Sequence, residues 1–505
     1  RRGYLDFLLD LTNAFSSYSP QFYDMFAKVS HQIGSRHKIA LEGLLSGDHL
    51  EYLDTTDPND QVISTYGNGY LWVNWQTVWN ANLFSQTVVS KGKIWRDRDG
   101  VDIRRDKLIS FQAKDRRRFN AFQFKQDWTY DAGNQHQVKW GISLKQHQSN
   151  YQYSNLRLVQ DVADPASPSK VVNRYAEQNT ASTPAGIFLN LYTSHQFRMG
   201  ERFAGIAGGR FGYITWSNDR YLDPRLNLSY QLGTRTALRS AWGIFHQPQG
   251  IEQLYVEDGD QRYYQAERSR HFVLGLDHAF TNGATLKVDL YNKQNSNVRP
   301  RYLSLGGEAA AFFPELDENR VFWKPESVHA KGAEFSLRKE NGRYLNGLLS
   351  YTLSQVSESV DGVFIPKSQD QRHAFLLDLD IKPRPRLHVN MSWQYHTGWR
   401  YSDVDFDITY QQEKDVLYDV RYGALNGQRY PAYHKLNLRL SQVFNFGRQS
   451  LVAYLEIQNV YNRKNVRLYS FTPQVQSDGS VEFLTRAESW LPRLPTLGLK
   501  WDISH

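Results

Sequence analysis

Leu387-His388-Val389-Asn390-Met391-Ser392-Trp393-Gln394-Tyr395-His396 alternates without a break, with apolar residues at 387, 389, 391, 393 and 395 and polar ones between. Successive side chains of a β-strand point to opposite faces, so this stretch has one apolar and one polar face. The pattern returns in Phe375, Leu377, Leu379 and Ile381 against Asp378 and Asp380, and in Leu436, Leu438 and Leu440 against Lys435, Asn437 and Arg439. It closes the chain in Leu497, Leu499, Trp501 and Ile503 against Lys500 and Asp502. Turned inward, the apolar faces of so many strands would have to share one enormous core. Turned outward to lipid, they leave the polar faces to line a wide interior.

The spacing between strands carries the same message. Segments of this kind run over 3–12, 22–33, 37–48, 68–79, 83–95, 117–130, 137–151, 184–197, 201–215, 223–232, 236–247, 269–279, 284–295, 330–340, 345–355, 371–381, 386–397, 434–446, 450–463 and 494–503. Short gaps alternate with long ones. The short gaps include Gly34-Ser35-Arg36-His37, Asn80-Ala81-Asn82, Asp131-Ala132-Gly133-Asn134, Met199-Gly200-Glu201, Gly233-Thr234-Arg235, Asn282-Gly283, Asn341-Gly342, Lys382-Pro383-Arg384-Pro385 and Gly447-Arg448-Gln449, rich in the Gly and Asn that hairpins need for positive φ. The long gaps, 152–183, 296–328, 398–433 and 464–493 among them, read as loops. The fold expected is all-β: a transmembrane antiparallel β-barrel with long extracellular loops and short periplasmic turns, about 20 strands being visible of about 22 expected.

Composition agrees. The 505 residues show no Pro/Ser-rich linker, so 1–505 reads as one domain. Mean hydropathy of -0.62 and the lack of a long apolar run exclude helical spans but not a barrel, in which only alternate residues meet lipid. Aromatic residues gather near strand ends, as at Phe444 and Phe446 or Trp393 and Tyr395, where interfacial girdles belong. With no cysteine, disulfides, thiolate metal sites and thiol catalysis are excluded. The net charge of +8 is modest for this length, and no basic run resembles a nucleic-acid footprint, so no nucleic-acid partner is expected.

Arg1-Arg2-Gly3-Tyr4-Leu5-Asp6 resembles the segment entering the third barrel strand of TonB-dependent receptors. Asp223-Pro224-Arg225-Leu226, Trp242-Gly243-Ile244-Phe245-His246-Gln247-Pro248, Ala330-Lys331-Gly332-Ala333-Glu334, Asp370-Gln371-Arg372-His373, Gln458-Asn459-Val460-Tyr461-Asn462 and Leu497-Gly498-Leu499-Lys500-Trp501 are also similar to that family, in order and spacing over nearly the whole chain. The resemblance implies an outer-membrane active transporter for a bulky scarce nutrient (metal chelate, vitamin, oligosaccharide or peptide), energised through TonB. It further implies a plug domain in the lumen, contact with outer-membrane lipid and lipopolysaccharide, and a surface lipoprotein as a further candidate partner. In these terms the signal peptide, the TonB box, the plug and the first two strands precede Arg1, and residues 1–505 alone do not close the barrel. The family's last strand ends in an aromatic residue; this chain ends Ile503-Ser504-His505, with Trp501 as the substitute. The alternative is a non-transporting barrel that signals or acts as a scaffold in an envelope assembly.

No G-x-S-x-G elbow, P-loop or H-E-x-x-H motif occurs, so no enzyme, catalytic residue or cofactor is expected. His373, His388 and His396 with Ser392 are the nearest to a catalytic set, read as lumen-facing, and polar wall residues explain them better. Asp97, Asp99 and Asp102 around Gly100 resemble an oxygen-ligand loop for Ca²⁺ but lack the EF-hand spacing, and no metal site is expected. Ligand specificity is expected in the loops. Tyr255, Arg262, Tyr263 and Tyr264 fall in 248–268, and Arg299, Arg301, Tyr302, Phe312, Phe313 and Trp323 in 296–328. Aromatic faces and guanidinium groups stack on ring scaffolds and clamp carboxylates. The competing reading for each is loop-to-loop packing. Gly306-Gly307-Glu308 followed by Ala309-Ala310-Ala311-Phe312-Phe313 is a candidate lid.

Overall fold

The computed structural model describes residues 18–53, 61–103, 109–133, 135–162, 171–304, 315, 320–412, 415–447, 449–476, 478 and 480–503. The expected first strand at 3–12, Phe312, Phe313 and the candidate lid lie outside the described residues. Among the described residues one antiparallel sheet of 21 strands dominates, in which Val171–Ser182 and Val363–Pro366 only lengthen hairpins, so that nineteen of the described strands form the wall.

In chain order the wall strands are Tyr18–Ile33, His37–Leu53, Gln61–Val78, Leu83–Ile103, Ile109–Asp131, His136–Val162, Ala185–Met199, Phe203–Ile214, Asp219–Gln231, Thr236–Gln247, Glu267–Ala279, Ala284–Ser296, Ser327–Lys339, Leu345–Val360, His373–Arg384, Leu387–His396, Tyr433–Phe446, Gln449–Gln458 and Leu494–Ile503. Each pairs with its neighbours in sequence. Among the described residues Tyr18–Ile33 pairs only with His37–Leu53, and Leu494–Ile503 only with Gln449–Gln458.

Register shows how the two faces separate. Leu377 lies opposite Trp393, and Trp393 opposite Leu436, while one residue along Asp378, Ser392 and Asn437 form the next row. Apolar rows therefore share one face and polar rows the other, as alternation requires. Leu71, Val29, Met25, Leu290, Phe272, Leu499 and Trp501 are exposed on the apolar face. Large exposed apolar side chains around a wall are unstable in water and are the normal surface in hydrocarbon. The polar face is cross-linked by pairs such as Arg239 with Asp277 and Asp289, and Arg439 with Glu456. It lines the lumen.

All nine short gaps named above connect consecutive wall strands. At five of them the backbone explains a glycine, as at Gly283 (φ +80°) and Gly447 (φ +62°), which are left-handed, so that a Cβ there would be strained. The opposite end differs from the sequence expectation. Most of the long gaps are not open loops but hairpins. Val171–Ser182 extends the ladder of His136–Val162, a strand of 27 residues. Val404–Gln412 pairs with Asp415–Tyr422, and Val466–Val475 with Val481–Ser489. About 9–11 residues cross a bilayer as a tilted strand, so most of such a strand stands beyond the membrane. The same alternation that marks the wall continues outward in these hairpins, and length alone does not distinguish them from loops.

Candidate functional site

At the long-hairpin end, three sets of side chains tie the connections together over the lumen face. In the first, Gln249–Ala266 folds inward. Its apolar residues Ile251, Leu254 and Val256 are fully buried, and the last two pack on Phe119, Tyr151 and Tyr153 of the strands Ile109–Asp131 and His136–Val162. Tyr151 Oη donates to the Ile251 carbonyl (2.6 Å) and accepts from the Leu254 amide (3.3 Å), and Tyr263 Oη donates to the same carbonyl (2.8 Å). Burial raises the Tyr263 phenol above its usual range, with Tyr151 adding to the shift. A single 3₁₀ turn, Val256–Asp258, ends at the left-handed Gly259.

The second set is ionic. Asp115, wholly buried, accepts from Arg98 Nη2 (2.6 Å) and Arg117 Nε (2.8 Å). Arg98 also reaches Glu315 (2.9 Å), Arg117 reaches Glu257 (2.7 Å), and Arg320 pairs with Asp258 (2.6 Å). Two wall strands and two connections thus share one alternating chain of charges.

The third set surrounds Glu358 and Asp370. Glu358 accepts from Arg301 (2.8 Å), Lys367 (2.8 Å) and Trp323 Nε1 (2.7 Å). Asp370 accepts from Arg400 (3.0 Å), Arg429 (2.6 Å) and the Val356 amide (2.9 Å). Beside them opens a cavity of about 300 Å³, lined by Arg301, Glu358, Lys367, Arg400, Tyr401 and Tyr430, with Tyr469. The rings of Tyr401 and Tyr430 stack at 4.5 Å, and Tyr469 meets both edge-on or tilted at 5.5 and 5.3 Å. Glu358 continues the parity of Leu348, which lies opposite lumen-facing Asp378, so the cavity is on the lumen side. Four cations face two carboxylates here. That surplus, with phenolic rings and hydroxyls, suits an anionic ligand with planar groups.

The residues singled out from the sequence fall unevenly. Arg301 and Trp323 are opposite one another in a short hairpin, and both hold Glu358. Only Arg301 lines the cavity. Tyr302 packs edge-on against Phe322 (5.3 Å) under the Arg320 guanidinium. Tyr263 is part of the inward loop's own packing, and Tyr264 donates its amide to Gln249. Tyr255 precedes the 3₁₀ turn, Arg299 reaches Gln253 (3.2 Å), and Arg262 is exposed. The two connections do meet, through Arg320 with Asp258 and Arg299 with Glu267, but much of their aromatic and basic content is spent on one another. Lys367, Arg400, Tyr401, Tyr430 and Tyr469 were not among the sequence candidates. For all but Lys367 the signal was the density of Tyr and Arg in 398–433 and 464–493.

The weaker candidates resolve simply. His373 shares the apolar face with Leu377 and bonds Tyr351 Oη, so it is not lumen-facing, because its parity follows Phe375. His388 bonds Asp380, and His396 bonds Gln371 and stacks on Tyr433. Asp97 and Asp99 lie in a strand and are held by Arg118 and Arg116, at 2.6 and 2.7 Å. No cluster of three or more metal-ligating groups occurs among the described residues.

The fold has close counterparts. YddB, an outer membrane transporter from Escherichia coli, superposes with a TM-score of 0.65 at 11% identity, over 95% of this chain and 69% of that one. The ferric yersiniabactin uptake receptor FyuA from Yersinia pestis gives 0.62 at 11%, over 95% and 70%. The ferripyoverdine receptor of Pseudomonas aeruginosa gives 0.64 at 9%, over 96% and 65%. The chain therefore spans about two thirds of the length of these structures. No curated protein sequence matches it. The family model described as TonB dependent receptor-like, beta-barrel, matches residues 4–460. Nineteen antiparallel wall strands among the described residues, an apolar outer face, a polar lumen and that match make this chain an outer-membrane β-barrel of the TonB-dependent receptor family.

Proposed function

We propose that the chain is the wall of an energy-coupled uptake receptor, and that it captures an anionic, bulky nutrient in the cavity beside Glu358 and Asp370. The observation that carries this is the meeting of Arg301, Lys367, Arg400 and three tyrosines from four separate connections around one lumen-side cavity. A purely structural clamp needs the ion pairs but not the open, ring-lined space next to them. Uptake would be energised through TonB acting on a plug in the lumen. FyuA is a ferric yersiniabactin uptake receptor and the Pseudomonas aeruginosa receptor binds ferripyoverdine, so a metal chelate is the first ligand class to try.

The test is growth and binding in cells expressing the full-length receptor at normal surface level. Tyr401→Ala and Tyr469→Ala should each weaken ligand binding about tenfold or more, as aromatic anchors do. Tyr264→Ala should leave it unchanged. Deleting TonB should abolish uptake while surface binding persists. Binding without TonB-dependent uptake would instead identify a signalling or scaffold barrel.

A further inference from the structure

The lipid-facing side of Leu83–Ile103 and Ile109–Asp131 carries charges that the barrel itself does not account for. Row by row outward, the register reads Val73–Val89–Phe124, then Leu71–Lys91–Phe122, Gly69–Lys93–Asn120, Gly67–Trp95–Arg118, Thr65–Asp97–Arg116 and Ile63–Asp99–Lys114. The first row is wholly apolar. In the second, the exposed Lys91 sits between two exposed apolar side chains, Leu71 and Phe122. Successive rows are about 6.6 Å apart along the strand, so Lys91 lies two rows deeper than Trp95, the aromatic residue that marks the headgroup level.

Arg116 and Arg118 have partners, for Asp99 and Asp97 hold them. Lys91 and Lys93 have no ion pair or hydrogen bond among the described residues. Five cations on these two strands face two carboxylates. A lysine below the interface lowers its cost by extending its amine toward the headgroups. Beside it the surface is low: Gly67 and Gly69 present no side chain, and the Trp95 ring lies so closely over Gly67 that a Cβ there would sit 2.2 Å from it. The result is a shallow shelf of glycine edged by Trp95, with two uncompensated amines on its membrane side.

We infer that this shelf binds the phosphomonoester headgroup of an outer-leaflet glycolipid, with Lys91 and Lys93 on the phosphate and its acyl chains along Leu71, Val73 and Phe122. A doubly charged phosphate matches two free amines, and chains in that direction meet Leu71, Phe122 and the wholly apolar row Val73–Val89–Phe124. Another protein on this face would have to displace lipid from the exposed Leu71 and Phe122.

Native mass spectrometry of the purified receptor in detergent tests this with three probes: a diphosphorylated lipid A, the same glycolipid with its phosphates removed, and inorganic phosphate. The wild-type protein should retain the phosphorylated lipid and not the dephosphorylated one, and inorganic phosphate should not displace it. The double variant Lys91→Gln/Lys93→Gln should retain it about tenfold less. Lys331→Gln, at another exposed lysine on the outer face, opposite Asn292, should leave retention unchanged. Lys93→Gln alone should give an intermediate loss, and serves if the double variant fails to assemble. Equal retention of both lipids, displacement by inorganic phosphate, or an equal loss in Lys331→Gln would overturn the assignment.

Discussion

Replacing Asp115 by alanine should release the inward loop. Asp115 is wholly buried, and the Arg98 and Arg117 side chains it joins are only 4% and 5% exposed. Removing one partner of a buried ion pair typically costs about 3–5 kcal/mol, because the remaining charge is left uncompensated. Here each arginine keeps a second carboxylate, Glu315 at 2.9 Å and Glu257 at 2.7 Å, so the lower end, about 3 kcal/mol, is expected. Asp115→Asn keeps an acceptor oxygen for one guanidinium and should cost about half as much. A combined change of Asp115 to leucine, Arg98 and Arg117 to methionine, and Glu315 and Glu257 to glutamine should come closer to neutral, since the linked charges then disappear together. The assay is urea unfolding in lipid vesicles, with hydrogen exchange read separately over 249–266. The alanine variant should lose amide protection there first. A cost under about 1 kcal/mol, the value of an exposed pair, with loop protection intact, would refute the claim that this carboxylate holds the loop.

Leu377→Arg should destabilise the barrel by roughly 2–4 kcal/mol near mid-membrane, whereas Asp378→Asn should cost far less; equal costs in the same urea titration would mean the faces are reversed. Trp323→Phe removes one donor to buried Glu358 and should cost about 1 kcal/mol, visible as faster hydrogen exchange in 320–323 with ligand binding retained. Burial, with Asp258 and Glu257 nearby, raises the Asp260 carboxyl above its ordinary value. A group raised on docking favours the docked loop at low pH and loses that contribution as pH rises through its folded pKa. Protection of 249–266 should therefore increase from neutral pH toward the carboxylate range, and Asp260→Asn should flatten the change. A profile unaltered by that substitution would assign the dependence elsewhere.

The wall was legible because alternation is a local property, and lipid on one side enforces it at every row. Leu377 beside Asp378 states its face in two residues. The nine short turns were legible for a similar reason, since Gly283 and Gly447 are required by their own backbone. The long side was not. Whether Val404–Gln412 is a loop or a strand depends on its pairing with Asp415–Tyr422, and whether Arg301 awaits a ligand or holds a neighbour depends on Glu358, 57 residues away. Residue type marks Tyr263 and Trp323 as side chains apt for contact, and only the fold shows that Tyr263 bonds the Ile251 carbonyl and Trp323 bonds Glu358. Several stretches that resembled the family turn out to be internal clamps: Asp370 gathers two arginines, Asp223 holds Arg210 and His246, and buried Asn459 bonds the Arg463 carbonyl.

The inward loop also sets an order of assembly. Its contacts with Tyr151 bridge about a hundred positions of chain, and the strands between them, Ala185–Met199 through Thr236–Gln247, must already stand side by side for Ile251 to reach that hydroxyl. Neighbouring strands pair locally and early, whereas contacts of such separation form late. Substitutions at Leu254 or Val256 should accordingly accelerate unfolding and leave the folding rate nearly untouched. The loop then works as a latch that engages only on a wall already built, and its protection from exchange reports that construction of that half is complete.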